Sequence, residues 1–125
     1  MSARTILVVE DNEACRDALE VAFAKLPDFK LRMVATAEQA LECLEGEDIC
    51  ALVTDLHLER MNGFDLIASV RSHPQLACLP IVVISGDTDP TTPERLARIG
   101  ADAYFSKPYS PAAVCSRLEQ LVHAN

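Results

Sequence analysis

Five short apolar runs, each of strand length, alternate along this sequence with five segments of helical periodicity. The apolar runs occupy residues 4–9, 31–35, 50–54, 81–84 and 103–106. Their continuous apolar character and β-branched residues are typical of strands that are buried on both faces of a sheet. Regular alternation of strands and helices predicts right-handed crossovers, and therefore a parallel sheet covered by helices on both faces.

Capping signals predict where the helices begin. Asn12 is the expected N-cap of the first helix, and the stretch from Thr36 to Gln39 fits a capping box at the start of the second. The third helix is predicted to start near Gly63. The last two are each predicted to start at a cap followed by proline, at Thr92-Pro93 and at Ser110-Pro111.

We therefore predict an α/β fold: a flavodoxin-like (βα)5 sandwich of three layers, with a five-stranded parallel sheet of order 2-1-3-4-5. In this order the first and third strands are neighbours, and ligands bind in the crevice at their carboxyl ends. Glu10 and Asp11 follow the first strand, and Asp55 follows the third. Ser85 and Lys107 end the fourth and fifth strands. The predicted topology gathers these five side chains in one crevice.

The chemistry of this crevice depends on its charges. Asp55 alone could be a metal ligand, a nucleophile or a loop cap. Three carboxylates at one sheet edge repel one another, and a hard cation such as Mg²⁺, which prefers oxygen ligands, relieves the repulsion. A carboxylate screened by a cation and by Lys107 can attack a phosphoryl group, and the Ser85 hydroxyl can hydrogen-bond to a phosphoryl oxygen. The set favours phosphoryl transfer onto Asp55.

The sequence lacks the motifs that other candidate functions require. The turn after the first strand has neither a Gly-x-Gly-x-x-Gly nor a Gly-Lys-Ser/Thr motif, which argues against nucleotide binding. Ser85 has no nucleophile elbow, and the short loops offer no large cleft for a sugar substrate. His57, His73 and His123 do not cluster in the sequence, which argues against a histidine metal site.

Composition narrows the partners and the compartment. The chain has 125 residues, a formal net charge of −8 and a pI near 4.7, so we expect no direct nucleic-acid binding. No apolar run approaches the length of a membrane span, and we expect no membrane association. The five cysteines are scattered and form no Cys-x-x-Cys pair, which favours reduced thiols and a cytoplasmic location.

Taken together, five motifs carry a family resemblance. These motifs are Glu10-Asp11, Asp55, Met61-Asn62-Gly63, Ser85-Gly86 and Lys107-Pro108. In this order and spacing they resemble the signature of the receiver domain of two-component response regulators, of the chemotaxis-regulator type. The resemblance covers the whole chain, so residues 1–125 are expected to form a single receiver domain.

The resemblance implies a role for each of these positions. Asp55 would be the phosphoacceptor, and Mg²⁺ would be held by Asp11, Asp55, Glu10 and the backbone carbonyl of His57. Lys107 would contact the phosphoryl group.

The resemblance also implies a switch. Ser85 would be the switch hydroxyl and Tyr104 the aromatic residue that changes rotamer on activation. A cis peptide bond would precede Pro108. A packed core aromatic is an almost equally good interpretation of Tyr104, and both can hold.

Departures from the family pattern affect the loops. Glu59 stands where the family usually has proline, and Gly86 would leave the phosphoryl group accessible. His57 and Asp87 occupy the two variable positions that, in the family, tune the hydrolysis of the acyl phosphate. The acidic residues from Asp87 to Glu94 otherwise look like a solvated loop.

The implied partners are a sensor histidine kinase or a phosphotransfer protein as donor, and a downstream protein or a missing output domain as target. The face made of the fourth helix, fifth strand and fifth helix would change its partner preference, and it could support a homodimer. Two alternatives stay open. One is a pseudo-receiver, a non-phosphorylated interaction module with the same fold. The other is an acidic flavodoxin-like domain that binds a small phosphate ligand through its loops.

Overall fold

The computed structural model describes residues 4–58 and 60–123. Five strands alternate with five α-helices, and a single 3-10 turn precedes the fourth strand. The strands are β1 (Arg4–Val9), β2 (Phe29–Val34), β3 (Ile49–Asp55), β4 (Ile81–Ser85) and β5 (Ala103–Ser106). The helices are α1 (Glu13–Phe23), α2 (Ala37–Gly46), α3 (Gly63–Ser72), α4 (Thr92–Ile99) and α5 (Pro111–His123).

All strands of the sheet are parallel, and their order is β2-β1-β3-β4-β5, which confirms the predicted flavodoxin-like topology. Strand β3 is central, because it pairs with β1 on one side and with β4 on the other. Val9 of β1 is aligned with Thr54 of β3, so the residues that follow each of them, Glu10 and Asp55, lie side by side.

The core has two apolar layers, one on each face of the sheet. Helices α1 and α5 cover one face through residues such as Leu19 and Leu118. Helices α2, α3 and α4 cover the other, where Leu66 and Leu96 are buried. Both faces of the central strands are therefore buried from solvent, which explains the continuous apolar runs of the sequence. All five cysteines are free thiols.

Most of the predicted helix starts are confirmed. The Asn12 side chain accepts a hydrogen bond from the Cys15 amide, Thr36 and Gln39 form a capping box, and the Ser110 hydroxyl accepts one from the Ala113 amide. These caps satisfy amides that have no partner inside their own helix.

Several predicted boundaries differ from the structure by one or two residues, and two of these differences have a clear physical cause. Strand β2 begins at Phe29 rather than at Leu31, because its first residues pair with the start of β1. Thr92 is not the N-cap of α4 but its first helical residue, and Thr91 occupies the cap position. Thr92 is fully buried, and its hydroxyl donates to the Asp87 carboxylate.

Candidate functional site

The acidic residues at the carboxyl edge of the sheet are placed there by the central strands. Asp55 is the last residue of β3, and its neighbour Glu10 follows the last residue of β1. Both residues are buried, with exposed fractions of 7% and 4%. Two carboxylates held this close in a dry environment need compensating positive charge.

Lys107 supplies part of that charge. Its ammonium nitrogen lies 2.6 Å from Asp55 Oδ2 and 3.3 Å from Glu10 Oε1. Burial on its own lowers the pKa of Lys107, but the hydrogen bond and charge of Asp55, followed by those of Glu10, raise it above its ordinary value. The lysine is therefore charged at neutral pH, and one cation is shared between two carboxylates.

Glu10 is left incompletely satisfied by this arrangement. Its second carboxylate oxygen, Oε2, is buried and has no hydrogen-bond partner within the part of the chain that the structure describes. Burial, and after it the neighbouring Asp55, raise the pKa of Glu10. An unpaired, buried carboxylate oxygen beside a second carboxylate suits the binding of a hard cation.

The other predicted metal ligands are placed less tightly. Asp11 directly follows Glu10 and is exposed. Within residues 4–58 and 60–123, no group of three or more His, Cys, Asp or Glu side chains is arranged to hold a metal ion by itself. Mg²⁺ commonly takes only one or two carboxylates and completes its shell with water and other oxygen ligands. The carboxylates of Glu10, Asp11 and Asp55 therefore suit Mg²⁺ better than a metal ion that is bound by protein side chains alone.

The loop after β3 is held against the acidic edge. The Asp55 Oδ1 atom accepts a hydrogen bond from the His57 amide at 3.0 Å. Gly63 donates its amide to the Leu56 carbonyl at 2.7 Å. A Cβ atom at position 63 would lie 2.8 Å from Leu56 Cα and 2.9 Å from the Asp55 carbonyl oxygen, so only glycine fits there. Glu59, which stands where the family usually has proline, lies outside the described residues.

Ser85 and Lys107 enter the crevice from neighbouring strands. Ser85 ends β4, is fully buried, and accepts a hydrogen bond on Oγ from the Asp87 amide at 3.0 Å. The Ser85 carbonyl accepts from the Lys107 amide at 2.8 Å, which fixes the end of β4 beside the residue after β5. Gly86 is exposed. The Lys107–Pro108 peptide bond is cis, as the resemblance implied.

Tyr104 lies on β5, three residues before Lys107. It is half-buried against the apolar layer under α2, α3 and α4, and its hydroxyl is 3.5 Å from the Asp87 carbonyl. Burial and the nearby Asp87 charge raise the pKa of Tyr104. The two residues expected to tune hydrolysis also meet, with His57 Nε2 lying 3.5 Å from Asp87 Oδ2.

Sequence reasoning missed Tyr109, which lies beneath the acidic edge. Together with Glu10, Asp55 and Ile84 it lines a cavity of about 10 Å³, close to the lower limit for one water molecule. Burial and the nearby Cys15 and Glu10 raise the pKa of Tyr109 to about 12. The only sequence signal was its position two residues after Lys107, which does not distinguish it from a surface aromatic residue.

The sequence and the fold are similar to those of known proteins. A family model for the response regulator receiver domain matches residues 6–119. The transcriptional regulatory protein GltR of Pseudomonas aeruginosa is 31% identical over 121 residues, which is 97% of this chain but only 50% of GltR. The chain thus spans about half the length of that relative.

A second relative matches along almost its whole length. The two-component response regulator ORR13 of Oryza sativa subsp. japonica is 31% identical over 115 residues, covering 91% of this chain and 94% of that protein. Among solved structures, the receiver domain of the sensor histidine kinase PA1611 from Pseudomonas aeruginosa PAO1 superposes with a TM-score of 0.85 at 22% identity. That match covers 98% of this chain and 99% of the other, which is described with a magnesium ion coordinated in its active site cleft.

A doubly wound, five-stranded parallel sheet of this order is the flavodoxin-like fold that CheY-like receivers share. This chain belongs to the response regulator receiver domain family. Within the described residues, no helix is long and apolar enough to cross a membrane.

Proposed function

We propose that Asp55 accepts a phosphoryl group from the phosphohistidine of a sensor histidine kinase or a phosphotransfer protein, in a reaction that depends on Mg²⁺. The observation that supports this most strongly is the buried Asp55 carboxylate, held 2.6 Å from the Lys107 ammonium and beside the incompletely satisfied Glu10. In this proposal residues 1–125 act as one receiver domain in the cytoplasm.

Glu10, Asp11, Asp55 and the backbone carbonyl of His57 would hold the Mg²⁺ ion. The unpaired Oε2 atom of Glu10 and the exposed carboxylate of Asp11 supply the hard oxygen ligands that this ion prefers. Bound there, Mg²⁺ would offset the negative charge of the acceptor carboxylate and of the incoming phosphoryl group.

The chain's own residues then perform the transfer. An Asp55 carboxylate oxygen forms a bond to phosphorus while the bond from phosphorus to the donor imidazole nitrogen breaks, and the electron pair of that bond stays on the nitrogen. Lys107, already in contact with Asp55, would bind a phosphoryl oxygen, and the Ser85 hydroxyl would donate to another.

The new charge on Asp55 would then bias the conformation of the domain. Ser85 would move toward the phosphoryl group, Tyr104 would follow, and the face built from α4, β5 and α5 would change its preference for a partner. That partner is a downstream protein, an output domain in a longer chain, or a second copy of this domain. The acidic surface would not bind nucleic acid directly.

His57 and Asp87 would tune how long the phosphoryl group survives. The two side chains approach each other to 3.5 Å, and the His57 amide donates to Asp55 Oδ1, so His57 lies next to the proposed acceptor. The His57 side chain is two-thirds exposed and would meet water that approaches the acyl phosphate.

The direct test uses acetyl phosphate and Mg²⁺ with the intact chain. We expect a mass increase of one phosphoryl group per chain, which chelation of Mg²⁺ abolishes and which Asp55→Asn does not show. Beryllofluoride with Mg²⁺ should change the amide spectrum around β3. An equal response in Asp55→Asn, or none in the wild type, would contradict the proposal.

Thermal unfolding with and without Mg²⁺ separates this function from a pseudo-receiver. A ligand that binds only the folded state raises its stability, by about 2.7 kcal/mol at a concentration 100 times the dissociation constant. We expect such a gain in the wild type and a smaller one in Asp11→Asn. A pseudo-receiver would show no gain in either protein.

A further inference from the structure

Asp87 forms contacts with four groups that belong to different parts of the domain. Its amide donates to Ser85 Oγ at 3.0 Å, and its carbonyl lies 3.5 Å from the Tyr104 hydroxyl. Its carboxylate oxygen Oδ2 accepts from the Thr92 hydroxyl at 3.2 Å and lies 3.5 Å from His57 Nε2. One residue therefore touches the switch hydroxyl, the switch aromatic, the acceptor loop and the first residue of α4.

These contacts differ in strength. The His57 side chain is 66% exposed, and an ion pair at such a position contributes little. The Tyr104 contact, at 3.5 Å, is at the outer limit of a hydrogen bond. The contacts to Ser85 and Thr92 are shorter and involve two side chains that are fully buried, where the loss of a partner costs most.

The loop between β4 and α4 is fixed by Asp87 rather than being freely solvated. The other carboxylate oxygen, Oδ1, accepts from the Asp89 amide at 2.8 Å, which closes a tight turn. Residues 88–91 are exposed, as the sequence suggested, but Asp87 and Thr92 at the two ends of this loop are not. A movement of the Asp87 backbone is therefore passed directly to the start of α4.

We infer that Asp87 is a positioning residue that couples Ser85 to the first turn of α4 through the buried Thr92 hydroxyl. A Ser85 hydroxyl that turns toward a phosphoryl group must either draw the Asp87 amide with it or break that hydrogen bond. In both cases the carboxylate that holds Thr92 shifts, and α4 shifts with it. This inference rests on the function proposed above and adds to it a second route to the output face, parallel to Tyr104.

The test compares two sets of amide signals in the same nuclear magnetic resonance spectrum of the full chain. The first set, around Leu56 in the acceptor loop, reports that beryllofluoride and Mg²⁺ have bound. The second set, along α4 from Thr92 to Ile99, reports the response of the output face. In the wild type we expect both sets to shift together.

Thr92→Val removes the hydroxyl and keeps the shape of the side chain. We expect the Leu56 set to shift as in the wild type and the shifts along α4 to fall by about twofold or more. Thr92→Ser, which keeps a hydroxyl, should restore them. Thr91→Val is the matched control, because the Thr91 hydroxyl donates only to the exposed Asp89 turn, and it should leave both sets unchanged.

Asp87→Ala provides a second variant in case Thr92→Val does not fold. It removes the carboxylate to which the Thr92 hydroxyl donates, and we expect the same selective loss along α4. Full α4 shifts in both variants, with the Leu56 set also shifted, would overturn the coupling and leave the phosphoacceptor function intact. No shift of the Leu56 set in the wild type would overturn the phosphoacceptor function, and the coupling with it.

Discussion

Each end of the sheet holds a cationic side chain that bonds to several elements, but the hydrogen-bond acceptors around the two side chains are satisfied to very different degrees. At the carboxyl end, Lys107 is shared between Asp55 and Glu10, and one Glu10 oxygen has no partner among the described residues. At the opposite end, the Arg71 guanidinium donates to the carbonyls of Gly100 and Leu79 and to the Asp102 carboxylate.

The hydrogen bonds of Arg71 indicate a structural role rather than a ligand-binding site. Arg71 also donates to the Leu76 and Ala77 carbonyls, so it ties the turn before β4 to the end of α4. Gly100 has a positive φ of 105° there, and a Cβ would lie 2.7 Å from the Arg71 Nε atom. This domain thus fixes one end of its sheet, and at the other end it leaves one Glu10 oxygen without a partner among the described residues, where we propose that Mg²⁺ binds.

Loss of Arg71 tests the fixed end and should have the largest effect. Arg71→Ala leaves several carbonyls and the Asp102 carboxylate without a donor, so we expect a loss of about 3 kcal/mol in the free energy of unfolding. Chemical denaturation measures it. Mg²⁺ should stabilise this variant by the same increment as the wild type, because the acidic edge is untouched. A much smaller increment would mean that the two ends are not independent.

Loss of Lys107 tests the other end. Lys107→Ala leaves Asp55 and Glu10 without their shared cation, so we expect a loss of about 2 kcal/mol without Mg²⁺, less than at Arg71 because the lysine is partly exposed. Unlike the Arg71 variant, this one should recover most of the loss in Mg²⁺, since the ion compensates the same carboxylates. Phosphorylation by acetyl phosphate should still fall by about 100-fold, because the lysine contact to the phosphoryl group is gone. A loss that Mg²⁺ does not reverse would contradict a shared role.

The pH dependence of Glu10 provides the smallest and most specific test. Because the pKa of Glu10 is raised in the folded state, the folded chain binds more protons than the unfolded chain, and stability falls as pH rises from about 4.5 through the raised value. Glu10→Gln cannot ionise. Without Mg²⁺ we expect it to become more stable than the wild type, by about 1 kcal/mol, once pH exceeds that range. A stability difference that stays constant with pH would argue against the raised pKa.

Much of this arrangement follows from local sequence signals. The alternation of apolar runs with helices capped at residues such as Asn12 and Thr36 was enough to predict a parallel sheet of five strands. The strand order known for flavodoxin-like folds then placed Glu10 beside Asp55. These inferences succeed because strand length, burial and helix caps depend on neighbouring residues.

What the sequence could not predict depends on contacts between distant segments. Thr92 was predicted to be a cap because threonine before proline often is one, but it is the first helical residue of α4, and its hydroxyl donates to the Asp87 carboxylate from outside the helix. Likewise, nothing near Arg71 in the sequence indicates that Gly100 and Asp102 lie against it. The pairing of the start of β2 with Arg4 overrode the loop character of the residues around it.

The position of Asp55 at the end of the central strand has a consequence for hydrogen exchange. Strand β3 is paired on both sides and buried on both faces, so its amides should exchange only when the domain opens globally. In the exposed loop between β4 and α4, the Asp89 and Thr91 amides are held by hydrogen bonds to carboxylates of the same loop, so they should exchange by local opening. Asp55 thus lies on a strand that should exchange slowly, and the loop that leads to α4 should exchange faster, so deuterium uptake in the loop can be followed with β3 as an internal standard.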